Sequence, residues 1–293
     1  MRWRDIALKR TSDPDETRRI VKAWQADGLT VGFVPTMGAL HEGHLSLMRA
    51  SGAECDRTAL SIYVNPTQFG PSEDLDRYPR RLDADLRMAE GAGVDLAFCP
   101  ADAVMYPPGY ATYVVQDGLT DVLEGARRPG HFRGVLTVVC KLLSIVPADH
   151  AYFGQKDFQQ TVAIRRMVAD LGIPVLIRVM PTVREPDGLA MSSRNDYMSK
   201  EERNQATCLY RALIEAKRLY NLDETDPVEV RRAMERVIAD APLARPDYLE
   251  IVDRDTLAPV SRVTDRAVAV LAVAIGRTHL IDNMPFGSAP DEA

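Results

Sequence analysis

Two histidines follow a predicted strand at a place where they could bind a phosphate group. His41 and His44 lie in the segment PTMGALHEGH, which spans the end of an apolar run and the start of a helical pattern. Residues three apart share one helix face, so both imidazoles can reach the same anion. A helix N-terminus adds free N–H groups and the positive end of its dipole. The segment matches neither GxGxxG nor the P-loop pattern, which argues against a dinucleotide oxidoreductase or a P-loop enzyme.

Two further segments carry positive charge and hydrogen-bonding groups. GQKD, which contains Lys156, directly follows a short predicted strand, and Gln160 lies about one helical turn further on. Lys156 would supply a compact positive charge for a phosphate. MSSRN (residues 191–195) offers two hydroxyls and a guanidinium in sequence, which alone would be typical of a polar linker. Together with the other motifs it predicts a lid that closes over phosphates, with Gly188 as its hinge.

Neutral amides and carboxylates form the remaining candidate groups. NPTQF contains Asn65 and Gln68, which suit a hydroxylated acid better than a phosphate, although an ordinary Asn-Pro turn explains Asn65 equally well. A local group of carboxylates could hold Mg²⁺ together with phosphate oxygens, but such groups more often form a solvated helix face. These carboxylates are Asp74, Asp76, Asp83 and Asp85.

Alternating strands and helices must position these segments. Apolar strands that alternate with amphipathic helices predict a Rossmann-like, doubly wound parallel sheet, whose ligand crevice lies at the carboxyl ends of the strands. The predicted strands are 29–36, 58–64, 94–98, 111–115, 151–153 and 175–179. The predicted helices are 75–92, 135–146 and 158–171.

The sequence changes character after Val183, which predicts a boundary between a larger domain (1–183) and a smaller α+β domain (184–293). SKEE at residues 199–202 has capping-box spacing, and Asp226-Pro227 offers an N-cap followed by a first-turn proline. Each begins a long amphipathic helix. Residues 248–252, 267–274 and 279–281 are then predicted to be strands.

Composition excludes several classes of protein. The 293 residues are 46% hydrophobic, enough for a substantial core, and the net charge of -6 argues against a nucleic-acid partner. The four cysteines lack metal-site spacing and are expected to be buried thiols in a reducing compartment. No apolar run is long enough to span a membrane, and residues 1–10 do not lead into the apolar stretch of a secretory signal. We therefore expect a cytoplasmic protein.

The motifs together resemble the pantothenate synthetase (pantoate–β-alanine ligase) family of the HxGH nucleotidylyltransferase superfamily. The similarity extends from about Gly32 to Asn283. HxGH alone specifies only adenylyl chemistry, whereas MSSRN, FGQKDFQQ and NPTQF narrow the resemblance to this ligase. The motifs that carry it are PTMGALHEGH, YVNPTQF, RYPR, GHFRGVLTVVCKLL, FGQKDFQQ, PTVREPDGLAMSSRN and DYLEIVD.

The resemblance implies that ATP and pantoate form a pantoyl adenylate, which β-alanine then attacks to give pantothenate. It makes His44 the proton donor, with His41, Lys156 and Arg194 as further catalytic groups. Gln68 and Gln160 would hold pantoate. The implied ATP-binding residues are Met37, Gly38, Ala39, Leu40, His41, Glu42, Gly43, His44, Gly154, Gln155, Lys156, Asp157, Val183, Met191, Ser192, Ser193 and Arg194.

The resemblance also implies Mg²⁺ and a homodimer formed through the larger domain. Asp85 matches the family's metal position, but the adjacent matched position is Ala84. Two alternatives remain. Another adenylyltransferase acting on a phosphorylated acceptor would need more basic groups than the neutral Gln68 and Gln160 provide. A non-catalytic nucleotide sensor should have lost at least one of the phosphate-binding side chains, all of which are present.

Overall fold

The structure, a computed structural model, describes residues 8–71 and 73–287 and divides into two compact units. Within the described residues, the first unit contains 8–121, 125–154 and 163–180. The second contains 122–124, 155–162 and 181–287. The predicted domain boundary between residues 183 and 184 stays a prediction. The expectation about a secretory signal rests partly on residues 1–7, which lie outside the described part.

The first unit contains a six-stranded parallel sheet with the order β1-β4-β3-β2-β5-β6. β2 is buried along nearly its whole length, as expected for a strand covered on both faces. From β2 the chain proceeds to β3 on one side of the sheet and later to β5 on the other, so the topological switch point lies between β2 and β5. The strands are β1 (Lys9–Thr11), β2 (Val31–Thr36), β3 (Arg57–Ile62), β4 (Leu96–Phe98), β5 (His150–Gly154) and β6 (Leu176–Met180).

Helices cover both faces of this sheet. Phe33 packs in one core cluster with residues of α1, α6 and α7, whereas Val34 packs in a second cluster with residues of α2 and α3. Adjacent residues of one strand thus face opposite cores. The helices that carry residues of the first unit are α1 (Pro14–Ala26), α2 (Glu42–Glu54), α3 (Leu82–Gly91), α4 (Asp102–Met105), α5 (Glu124–Arg127), α6 (His131–Ile145) and α7 (Phe158–Asp170). Glu124 of α5 and residues 158–162 of α7 belong to the second unit.

Two predicted elements of this unit are wrong. The helix predicted over 75–92 begins only at Leu82, because Pro79 removes a backbone donor and disfavours helical geometry in the residue before it. Residues 111–115 form no strand. The Val114 N–H donates instead to the Thr137 hydroxyl of α6 (2.9 Å), so this segment is held on a helix rather than in the sheet. β1 and α1 were not predicted.

The second unit contains an antiparallel sheet of β7 (Ala244–Asp253), β8 (Ala267–Ile275) and β9 (Thr278–Pro285) in that order. Its helices are α8 (Lys200–Gln205), α9 (Cys208–Tyr220) and α10 (Pro227–Ala239). The predicted caps are present: Ser199 and Glu202 form a capping box, and Asp226 accepts from the Val228 N–H (2.8 Å). The single long helix predicted after Ser199 is instead two, α8 and α9.

The predictions about cysteines and membrane spans can also be compared with the structure. Cys55, Cys99 and Cys208 are buried and Cys140 is half-buried, and none of these four described cysteines forms a disulfide. Burial raises the pKa of the Cys99 thiol to about 11, which keeps it protonated and unreactive at neutral pH. Along the described residues, no helix combines the length and apolarity needed to cross a membrane.

Candidate functional site

A strained turn between β2 and α2 is held in place by a buried carboxylate. Gly38 and the non-glycine residue Ala39 both have positive φ (79° and 50°). The carboxylate of Asp85, only 3% exposed, accepts from the N–H groups of Ala39 (3.0 Å) and Leu40 (2.9 Å). A Cβ at Gly38 would lie 2.8 Å from an Asp85 oxygen, so glycine serves both the backbone angle and the close approach. Asp85 therefore fixes the path of the chain from Met37 to Leu40.

The two histidines form the N-terminal cap of α2. His41 is the N-cap residue, and its Nδ1 accepts from the Gly43 N–H (3.2 Å), while Nδ1 of His44 accepts from the His41 N–H (3.3 Å). Their ring centroids lie 4.1 Å apart. A ring nitrogen that accepts a hydrogen bond carries no proton, so each neutral imidazole has its proton on Nε2. The cap thus places two imidazole rings side by side at a helix N-terminus, where free N–H groups and the positive end of the helix dipole favour an anion.

Gln68 lies in a 3₁₀ turn (Pro66–Gln68) after β3, and Asn65 fixes its amide. Asn65 is 1% exposed and donates from Nδ2 to Oε1 of Gln68 (3.0 Å) and to the carbonyl of Gly134 (3.2 Å). Its Oδ1 accepts from the Tyr106 hydroxyl (2.8 Å). Because Oε1 of Gln68 is the acceptor, its Nε2 is left as the donating end, and it contacts the Met37 sulfur at 3.2 Å. Asn65 is thus a positioning group.

A cavity of about 420 Å³ lies at the carboxyl ends of β2, β3 and β4 in the first unit. Met37 and Asp85 line it, so it adjoins the turn between β2 and α2. Arg80 and Arg81 also line it, which makes one side basic, while Asp76 lies among the remaining lining groups. The cavity occupies the edge of the sheet where parallel α/β folds bind their ligands.

In the second unit, the Lys156 loop is a 3₁₀ turn (Gln155–Asp157) that directly follows Gly154, the last residue of β5. Nζ of Lys156 lies 3.7 Å from the Asp157 carboxylate, and the lysine side chain is 21% exposed. The carbonyls of Gln155 and Lys156 accept from the side-chain amide of Asn283 in β9 (2.9 and 3.0 Å). The backbone of the loop is therefore fixed, while the charge of the lysine stays partly accessible.

Val183 and Met191 pair across the base of a tight hairpin. The Met191 N–H donates to the Val183 carbonyl (3.0 Å), and Arg184 and Ala190 form a β-bridge. Gly188 lies in this hairpin with φ of 94°, where a Cβ would come within 1.9 Å of the Tyr210 ring. The hairpin brings together two segments that the resemblance assigned to ATP binding.

The residues after Met191 form a 3₁₀ helix (Ser193–Tyr197) capped by Ser192. The Ser192 hydroxyl accepts from the Arg194 N–H (3.2 Å), and the Asn195 amide donates to the Ala190 carbonyl (3.1 Å). All of residues 191–195 are half-buried. Local hydrogen bonds thus order the predicted phosphate clamp.

Gln160 is half-buried in the first turn of α7, and its neighbour Gln159 holds another segment of the second unit. The Gln159 amide accepts from the Glu124 N–H (3.0 Å) and donates to the Val122 carbonyl (2.8 Å). His279 of β9 lies between the carboxylates of Glu124 (3.0 Å) and Asp247 (2.9 Å). Burial opposes protonation of His279, but these two carboxylates outweigh it and raise the imidazole pKa above its ordinary value of 6.5.

A family model described as pantoate-beta-alanine ligase matches residues 9–285, nearly the whole chain and all of the segments above. The chain belongs to this family. A pantothenate synthetase of Moorella thermoacetica is 55% identical over 267 residues, which cover 91% of this chain and 94% of the relative. That of Roseiflexus castenholzii is 57% identical over 253 residues, covering 86% and 91%.

Solved structures of family members share the fold. Pantothenate synthetase from Thermus thermophilus superposes with a TM-score of 0.90 at 45% identity, covering 96% of this chain and all of that one. The ligase from Francisella tularensis, described as complexed with beta-gamma ATP and beta-alanine, has a TM-score of 0.78 at 32% identity and covers 97% of this chain and all of that one. The predicted fold class and ligase activity are confirmed.

Each unit brings together part of the predicted site. The first unit gathers Met37 to His44, Gln68 and Asp85 at one edge of its sheet, and the second holds the Lys156 loop, Gln160 and the hairpin that leads to Arg194. Sequence reasoning missed the groups that fix these segments, above all Asp282 and Asn283, which are 3% and 2% exposed. The signal was two adjacent polar residues within the strand-like run THLIDNMP.

Proposed function

We propose that the chain condenses pantoate with β-alanine through a pantoyl adenylate at the residues described above. A pantoate carboxylate oxygen attacks the α-phosphorus of ATP, and the bond to the bridging oxygen breaks to release pyrophosphate. The β-alanine amine then attacks the acyl carbon, loses a proton, and AMP leaves. The observation that carries the proposal is the histidine cap at the N-terminus of α2, where Nδ1 of His41 and Nδ1 of His44 each accept from a backbone N–H group.

The phosphate-binding groups act by positioning and charge stabilisation. As negative charge moves to the leaving pyrophosphate, His44 donates its Nε2–H to a phosphate oxygen, with His41 beside it. Lys156 and Arg194 add full positive charges. Donors fixed before the reaction stabilise such charge without reorganisation, which is why the α2 cap and the ordered loops suit this role.

We assign the remaining ATP contacts to backbone groups and two hydroxyls. Backbone groups of the turn between β2 and α2, of the Lys156 loop, of Val183 and of Met191, together with the Ser192 and Ser193 hydroxyls, hold the nucleotide. Residues 1–183 form the nucleotide- and pantoate-binding domain, and residues 184–293 form a lid that excludes water from the adenylate. The family relative described with beta-gamma ATP and beta-alanine supports both substrates for this chain.

Pantoate is held by neutral amides. Gln68 presents Nε2–H as its donating end because Asn65 occupies its Oε1, and this orientation suits a carboxylate or hydroxyl oxygen of the substrate. Gln160, half-buried at the start of α7, provides the second amide. A phosphorylated acceptor would favour cationic groups at these positions.

Mg²⁺ fits the residues present when the phosphates supply most of its ligands. No group of three or more metal-binding side chains occurs within the described part of the chain, so a purely protein-built site is absent there. Mg²⁺ commonly needs only one or two carboxylates besides phosphate and water. Asp85 lines the cavity, and each of its oxygens keeps a second lone pair beyond the bond to the turn. We assign it as the protein ligand of Mg²⁺, which would offset phosphate charge.

The function is tested by product analysis. The purified chain is incubated with ATP, Mg²⁺ and pantoate, with and without β-alanine, and AMP, pyrophosphate and pantothenate are followed by mass spectrometry. We expect AMP and pantothenate to accumulate together only when both acids are present. His44→Ala should lower kcat at least a hundredfold, whereas His150→Ala, at the opposite end of the sheet, should leave it nearly unchanged. ATP turnover that does not depend on pantoate would refute the substrate assignment.

Dimer formation through residues 1–183 is part of the same proposal. Light scattering coupled to size-exclusion chromatography should give about twice the 32.5 kDa mass of the chain. A monomeric mass at the concentration of the assay would refute it. The cytoplasmic location stays a prediction.

A further inference from the structure

The side chain of Asn283 in β9 is matched to the backbone of the Lys156 loop. Its Nδ2 donates to the carbonyls of Gln155 (2.9 Å) and Lys156 (3.0 Å), and its Oδ1 accepts from Nε2 of Gln155 (3.2 Å). Asn283 is 2% exposed, so these bonds are not exchanged with water. Both N–H groups and the oxygen of one amide are therefore used to hold one loop.

Few other residue types could replace this asparagine. Aspartate has the same shape but offers only acceptors to two carbonyl oxygens, and an aliphatic residue would leave both carbonyls without their donor. The residue directly opposite in β8 is Val270, which is apolar and 4% exposed. Burying a polar side chain in a sheet lowers the stability of the fold unless the side chain is fully hydrogen-bonded. The hydrogen bonds to the Lys156 loop therefore explain why an asparagine occupies position 283.

The preceding residue, Asp282, holds the hairpin that pairs Val183 with Met191. It is 3% exposed and forms a two-pronged salt bridge with Arg184 at 2.6 and 3.0 Å. The same guanidinium donates to the Gly188 carbonyl (3.0 Å) and stacks over the Tyr210 ring at 4.5 Å. A forked arginine–carboxylate pair fixes direction as well as distance.

Successive side chains of a strand point to opposite faces, so two adjacent residues can reach two different segments. We propose that Asp282 and Asn283 are positioning residues for the ligase reaction, holding the hairpin and the Lys156 loop in the geometry that binds ATP. This inference rests on the proposed role of Lys156 at the phosphates. Neither residue touches the reacting atoms: Asn283 acts through Lys156, and Asp282 through Arg184.

The test is a double-mutant cycle in the full chain. Asn283→Ala should lower kcat/KM for ATP at least tenfold and weaken ATP binding in calorimetric titrations without pantoate, while KM for pantoate changes less than twofold. Lys156→Ala removes the group through which Asn283 acts, so adding Asn283→Ala to it should cost less than a further twofold. Val270→Ala is the matched control, because it shortens the side chain paired with Asn283 in β8 and, since valine has no polar side-chain atom, removes no hydrogen bond to the loop.

Asp282 is tested separately. Asp282→Asn should raise KM for ATP at least fivefold, and Arg184→Lys, which keeps the charge but loses the fork, should reproduce this effect. If Asn283→Ala does not fold, Asn283→Asp carries the same test, since it preserves shape and one acceptor.

Three results would overturn the inference: Asn283 variants that behave like Val270→Ala, full additivity with Lys156→Ala, or an Asp282→Asn enzyme with unchanged KM for ATP. Failure of the proposed function is distinguishable. The wild-type chain would then produce no pantoate-dependent AMP, while calorimetry would still show whether Asn283 governs ATP binding.

Discussion

Replacing Asp85 by asparagine separates its observed contact with the turn from its proposed contact with Mg²⁺. The carboxylate accepts from the N–H groups of Ala39 and Leu40 while almost fully buried. Asparagine keeps one acceptor and places an NH₂ group against the other N–H. Hydrogen bonds to charged groups contribute about 1.5–3 kcal/mol each, so losing one should destabilise the first unit by about 2–3 kcal/mol. With a urea m-value of about 2 kcal/mol/M, the midpoint should fall by about 1 M.

The assay is urea unfolding in Mg²⁺-free buffer, followed by tryptophan fluorescence. Both tryptophans, Trp3 and Trp24, precede β2 in the chain, and Trp24 packs against the core of the first unit. Asp83→Asn is the matched control, since it removes the same charge from the first turn of α3 at an exposed position. Equal midpoints for Asp85→Asn and Asp83→Asn would refute the role in the turn. If Asp85→Asn keeps the wild-type urea midpoint but loses activity, and excess Mg²⁺ restores that activity, then Asp85 acts only through Mg²⁺.

Three further predictions concern the two units separately. The pKa of His279 is raised in the folded state, so protonated His279 stabilises the fold below about pH 6.5, and this stabilisation is lost as pH rises through the folded-state pKa. The urea midpoints of wild type and His279→Gln should therefore converge at high pH. A difference in midpoint that does not depend on pH would contradict this. Gly188→Ala places a Cβ within 1.9 Å of the Tyr210 ring, at a backbone φ of 94°. We expect it to lower the free energy of unfolding of the second unit by about 2 kcal/mol or more, measured by urea unfolding. An unchanged urea midpoint would contradict this and show that the hairpin adapts. Asn65→Ala frees the amide of Gln68 to rotate, so KM for pantoate should rise about tenfold while KM for ATP changes less than twofold. A larger change in KM for ATP than in KM for pantoate would exclude the orientation assigned to the Gln68 amide.

Local patterns predicted most of the elements. The apolar run before Pro35 and the capping-box spacing at Ser199 depend only on neighbouring residues, and both β2 and the cap of α8 are present. The helix predicted from residue 75 is wrong because its apolar spacing continues through Pro79, whereas a proline disfavours a helix interior. The strand predicted at 111–115 is wrong because the Val114 N–H donates to the Thr137 hydroxyl instead of to a neighbouring strand. Thr137 lies 23 residues further along the chain, so the local pattern of 111–115 does not reveal this bond.

The candidate site shows the same division between local and distant information. His41 and His44 are recognisable because the chemistry lies within four residues. The two bonds that Asp85 makes to the turn span 45 and 46 residues, so the sequence showed a carboxylate but not what it binds. The contact between Asn283 and Lys156 spans 127 residues. No periodicity reports such a pairing, which depends on tertiary packing.

The position of β9 late in the chain bears on how the protein is made. A ribosome releases the chain from its N-terminus, and parts that can fold alone do so while synthesis continues. Asp282 and Asn283 emerge after every segment that they contact, including the hairpin and the Lys156 loop. A nascent chain can therefore acquire the parallel sheet and the histidine cap before its loops are ordered. Competence to retain ATP should therefore appear only as synthesis nears its end, once β9 has emerged.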